Sequence, residues 1–133
     1  RDGKGLGDGS AAVVKRLYLV DLTGATDVSA LSGEANLLPF AVPKTLFLDI
    51  KTALNAHGIL DTEIPAKLEG ATFGPDVTID GQVKHTLYIA NDNDFDAAAN
   101  NPNKFFVFTF GDDDLPGYTS QQFVGRFDEH HGH

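Results

Sequence analysis

The feature that most constrains this chain is a series of short apolar runs, each closed off by Gly, Pro, Asn or Asp. They are "KRLYLVDL" (15–22), "KTLFLDI" (44–50), "LEGATFG" (68–74), "HTLYIAN" (85–91), "KFFVFTF" (104–110) and "QQFVGRF" (121–127). Runs of this length bounded by turn formers read as strands. Side chains on a strand alternate between its two faces. Phe106, Phe108 and Phe110 therefore share one face, with Phe105 and Val107 on the other; Leu46, Leu48 and Ile50 likewise oppose Phe47. With both faces largely apolar, the pattern predicts sheets covered on both sides. The helical signal is thin: "KTALNAHG" (51–58) makes two turns ending at Gly58, and "FDAAANNP" (95–102) is broken by its Asn-Asn-Pro end. The fold class expected is all-β, as a sandwich or propeller.

The 133 residues suffice for one domain with a real core. A net charge of −9 argues against a nucleic-acid partner, because phosphate backbones are bound through clustered Lys and Arg. No window approaches the roughly 18 apolar residues of a membrane helix. With no Cys there is neither a disulfide framework nor a thiolate zinc site. No Ser stands in Gly-x-Ser-x-Gly, and no dinucleotide or P-loop pattern is present. His57 and His85 are isolated and read as ordinary residues, and "FGDDDLPGY" (110–118) reads as a solvated hairpin loop, with a peripheral cation site as the alternative.

"YIANDNDFD" (88–96) is the segment that most invites chemistry, a strand running directly into Asp92, Asp94 and Asp96 interleaved with Asn91 and Asn93. An EF-hand loop does not fit, since Ala97 stands where a Gly is needed and Asn103 where the bidentate Glu belongs. The plainer reading is a turn whose Asn and Asp side chains bond to nearby backbone amides. The alternative is a cation held by oxygen ligands.

Four blocks, "YLVDLTGATDVS" (18–29), "VPKTLFLDI" (42–50), "KLEGATFGP" (67–75) and "LYIANDNDF" (87–95), resemble in that order the C-terminal part of the phytase-like family, described by an esterase-like activity of phytase. The resemblance runs from about residue 15 to 127. It implies a β-propeller, secreted or periplasmic, tied to phosphoester hydrolysis. At least four blades of about 40–50 residues exceed this length. The chain is thus expected to supply about one and a half to two blades of four-stranded antiparallel sheet, as a fragment or subunit of a larger ring. Residues 1–14 would be a flexible Gly-rich lead-in and 15–65 the second half of one blade plus a connection. Residues 66–127 would be a complete C-terminal blade, and 128–133 a His-rich tail. The remaining blades would be its partners.

In that setting Glu69 would lie near Asn91 or Asp92 at a channel mouth. Crowded carboxylates there call for a hard cation, and oxygen ligands favour Ca²⁺ over zinc. The expected metal ligands are Glu69, Asn91, Asp92 and Asp94; Glu69, Asp92 and Lys67 are expected to act in catalysis. Lys44, Lys67 and Asp27 would bind a phosphorylated small molecule, a metal-activated water attacking in line. The expectation is a Ca²⁺-dependent phosphoester hydrolase; the alternative is a non-catalytic extracellular propeller with structural calcium that binds a ligand or protein.

Overall fold

A computed structural model describes residues 2–122. The strand read over 121–127 and the His-rich tail therefore fall largely or wholly outside the described residues. The chain is predominantly β, with two small antiparallel sheets of two and three strands. It divides into two compact units, one formed by Arg1–Glu69 with Asn91–Lys104, the other by Gly70–Ala90 with the chain from Phe105 onward.

In the first unit, β1 (Arg16–Val20) pairs antiparallel with β2 (Lys44–Asp49). The register runs Arg16 to Asp49 and Leu17 to Leu48, then slips so that Tyr18 faces Leu46 and Phe47 is the extra residue. Such a bulge bends the strand and interrupts the alternation, so the expected Leu46, Leu48, Ile50 face is not continuous. Ile50 instead opens helix α2 (Ile50–Ala56), whose N-terminus is capped by the Asp49 carboxylate accepting from the Thr52 amide at 3.0 Å. The helix buries Ile50 and Leu54 and stops before Gly58, as its sequence predicts. A single turn, α1 (Glu34–Leu37), interrupts the β1–β2 connection. Ala12, Ile64 and Ala66 complete the buried apolar set of this unit.

The Gly-rich start, expected to be a flexible lead-in, is tied down. Leu6 forms a parallel bridge with Pro65, its amide donating to the Ile64 carbonyl at 2.8 Å and its carbonyl accepting from the Ala66 amide at 2.9 Å. Gly5 makes this approach feasible, for a Cβ there would sit 2.4 Å from the Ile64 carbonyl oxygen. The Ala12 amide adds a bond to the Asp61 carbonyl.

The second sheet has the order β3 (Leu68–Ile79), β4 (Gln82–Asn91), β5 (Phe105–Phe110). Asp80 and Gly81, with φ of 50° and 77°, form the two-residue connection between β3 and β4. That left-handed pair suits the twist of a hairpin. β3 continues past Pro75 because, among the described strands, it lies at the sheet edge, where a missing N–H costs no ladder bond. In β4 and β5, Ile89 opposes Phe106, Leu87 opposes Phe108 and His85 opposes Phe110. This face holds the buried Leu87, Ile89 and Phe110. On the other face Phe105 is 73% and Val107 52% exposed. The prediction of cover on both sides is therefore not met within the described residues.

Candidate functional site

The acidic turn resolves into backbone capping. Asp92 accepts from the Asp94 amide at 2.8 Å and Asn93 from the Phe95 amide at 3.1 Å. Asn91 spends both ends of its amide, accepting from the Lys104 amide at 2.6 Å and donating to the Pro102 carbonyl at 3.1 Å. Asp94 and Phe95 adopt left-handed backbone, φ 54° and 62°, and these side-chain-to-amide bonds stabilise the tight turn. The Lys67 ammonium is paired with the Asp94 carboxylate.

The Asp92 amide bonds the Lys67 carbonyl at 2.9 Å, so the start of β3 and the end of β4 lie side by side, and Glu69 is exposed on β3. These positions do not fit a ready calcium site. The Asn91 amide oxygen and one oxygen of each of Asp92 and Asp94 are engaged by amides or by Lys67, and a cation is already at Asp94. Among the described residues no three His, Cys, Asp or Glu are grouped to hold a metal.

Asp27 is held elsewhere. It accepts from the Ser29 amide at 2.9 Å, a bond that holds its carboxyl below the usual range. Lys44 alone of the three expected substrate-binding residues lines the pocket between β1, β2 and the N-terminal segment.

That pocket encloses about 370 Å³ and is walled by Asp2, Lys15, Arg16, Tyr18 and Lys44 over an apolar floor of Val14, Ile50 and Leu68. The Lys44 ammonium sits 4.3 Å from the centre of the Tyr18 ring, a cation–π contact that holds it at the rim. The Arg16 Nε donates to Asp49 at 3.3 Å. A guanidinium carries five N–H donors, and Tyr18 followed by Asp49 raises its pKa further. Lys15, 5% exposed, donates to the carbonyls of Asp2 (2.6 Å) and Ala66 (2.7 Å). The Asp2 carboxylate accepts from the amides of Val14, Lys4 and Val13, Val14 foremost, and its pKa falls to about 2. It is a fixed anion that fastens the segment, with no capacity to take protons near neutrality.

Three cations thus line one pocket in a chain of net charge −9, with Lys15 3.7 Å from the Asp2 carboxylate and Arg16 paired with Asp49. An exposed ammonium and a guanidinium beside apolar side chains are groups that can pair with an anion. Sequence reasoning missed Arg16 and Lys15, although the "KR" pair at the head of the first strand was the signal.

A family model described as "Phytase-like: Esterase-like activity of phytase" matches residues 1–95 of the 133. The chain belongs to the phytase-like family. The match includes the Gly-rich start, which the resemblance from about 15 to 127 left out, and ends at Phe95. Every residue lining the pocket lies inside the matched span of this phytase-like chain. No curated protein and no solved structure matches it.

The second unit holds a polar cluster that the sequence reading overlooked. His85 lies between Asp76 and Asp112, with Ser120 bonded to Asp76. The Ser120 hydroxyl lies 2.7 Å from Asp76 Oδ2 and 3.5 Å from His85 Nδ1, so its shorter contact is to the carboxylate rather than to the ring. No described helix is long and apolar enough to cross a membrane.

Proposed function

We propose that this chain is the substrate-anchoring part of a phosphoester hydrolase of the phytase-like family, with Arg16 and Lys44 holding the phosphoryl oxygens. The observation that carries this reading is the convergence of those cations on one pocket within an acidic chain. Charge-assisted hydrogen bonds to a phosphate are worth roughly 1.5–3 kcal/mol each where partly shielded. The apolar floor of Val14, Ile50 and Leu68 would seat the organic body of the ester. Neutralising the phosphoryl oxygens also favours attack on phosphorus, because charge accumulates on them in the transition state.

The chain is proposed as part of a β-propeller outside the cytoplasm. The remaining blades would cover the exposed Phe105 and Val107 and the exposed Val20 and Leu46. The calcium dependence implied by the resemblance has no ready ligand set at Glu69, Asn91, Asp92 and Asp94, so no step is routed through a metal.

A second reading, a non-catalytic propeller that binds an anionic ligand, draws on one observation. The carboxylate in the pocket, Asp2, is locked by three amides and the pocket lining offers no His. Assay of nitrophenyl phosphate turnover separates the two, with wild type compared to Lys44→Ala. Turnover that falls about tenfold in the variant supports the hydrolase, and phosphate binding without turnover supports the second reading. Neither binding nor turnover defeats both.

A further inference from the structure

We infer that His85 is a pH-operated latch fastening the loop after β5 to strands β3 and β4. The side chain is 11% exposed, at the point where β4 meets the end of β5. Its Nδ1 lies 2.8 Å from Asp76 Oδ1 on β3, and its Nε2 lies 2.6 Å from Asp112 Oδ1 in the loop. Ionised carboxylates only accept hydrogen bonds, whereas a neutral imidazole has one donor and one acceptor nitrogen. Both contacts are satisfied together only by the imidazolium. The Ser120 hydroxyl donates to the other Asp76 oxygen at 2.7 Å, drawing the chain beyond the loop into the same cluster.

Two aromatic rings pack against the imidazole and a third packs on them. Tyr118 packs edge-on at 4.7 Å and Phe110 at 5.3 Å from the imidazole, and Phe73 lies 4.8 Å from Tyr118. Other charged groups of these elements are Lys84 on β4, close to Gly111, Asp113 next to Asp112 in the loop, and Asp114, which accepts from the Gly111 amide at 2.8 Å. Loss of the ring proton leaves two carboxylates facing one imidazole that can donate to only one of them. Asp112, whose side chain is 90% exposed, is the partner that water can replace. The loop then opens at that end.

The sign of the dependence follows from the partners. Asp76 first, then Asp112, raises the His85 pKa above its usual 6.5. Fastening is therefore complete below that value and lost as pH rises through the raised one. The His85 bond, followed by the Ser120 bond, lowers the Asp76 pKa. The Asp76 end of the latch consequently stays ionised as pH falls into the ordinary carboxylate range. Asp76 and His85 lie inside the span matched by the family, and Asp112 and Ser120 lie beyond it.

The test is amide exchange in the intact protein, expressed as protection relative to the unstructured rate, at Gly111, Asp114 and Tyr118. The latch predicts constant protection up to neutral pH and a fall of fivefold or more across the His85 titration. Asp112→Asn, at an exposed position, should move that fall to lower pH. Nitrogen-resolved NMR of the ring at pH 6 should show both nitrogens protonated. Protection that ignores pH up to 9, an unshifted Asp112→Asn profile, or a neutral ring at pH 6 would overturn the inference.

Discussion

Replacing Gly5 by Ala tests whether the N-terminal segment is part of the fold and of the pocket. Gly5 has φ 140°, a region that residues with a Cβ avoid. The added methyl would meet the Ile64 carbonyl oxygen at 2.4 Å and the backbone of Pro65 and Ala66 at 2.9 Å. All three contacts are main chain, so no rotamer change relieves them. The segment must lift away, and both Leu6 bonds to residues 64–66 are lost. Two net hydrogen bonds at roughly 1 kcal/mol each, with a comparable backbone term, make the cost about 3 kcal/mol. Amide exchange at Leu6 and Ala66 should accelerate about a hundredfold, since each 1.4 kcal/mol is a factor of ten. Gly3→Ala is the matched control, because nothing lies within 4 Å of its Cβ position. Equal exchange in the two variants would refute the reasoning.

The other predictions concern the same unit. Lys15→Met leaves the Asp2 and Ala66 carbonyls without their donor, and urea unfolding should show a loss of about 3 kcal/mol; an unchanged midpoint would contradict it. Asp2 has its pKa lowered to about 2, chiefly by the Val14 amide, so its contribution is present above the ordinary value near 3.8 and is lost as pH falls through about 2. The Val13 and Val14 amide shifts should follow that midpoint in acid, and a midpoint near 4 would show that the carboxylate is not bonded. The 91–96 turn should keep its amide resonances in EDTA, while Lys67→Ala shifts Asp94; calcium-induced shifts at Asn91, Asp92 and Asp94 in wild type would contradict the capping account.

The strands were legible because turn formers bracket them, and α2 because Gly58 ends its short run. β3 reads short at Gly74, since Pro75 looks like a stop until the strand is known to lie at an edge. The Asp80–Gly81 hairpin signal was present but unused. Asn and Asp serve equally as metal ligands and as caps for backbone amides, so the chemistry of 88–96 was not decidable from residue type. The order of the blocks made the family recognisable, but not which carboxylates would be free. His85 appeared isolated because its carboxylate partners are 9 and 27 positions away. Lys15 and Asp2 were hidden for a related reason, the return of a Gly-rich segment onto residues 64–66.

The proposal stands or falls on whether the pocket formed by β1, β2 and the N-terminal segment binds phosphate through Arg16 and Lys44. The direct measurement is titration with inorganic phosphate in EDTA, followed by the amide shifts of residues 14–18 and 44–50. The account predicts saturable shifts confined to these residues, with affinity reduced about tenfold in Lys44→Ala and again in the Arg16→Ala, Lys44→Ala pair. Shifts elsewhere, or wild-type affinity in the double variant, would contradict it.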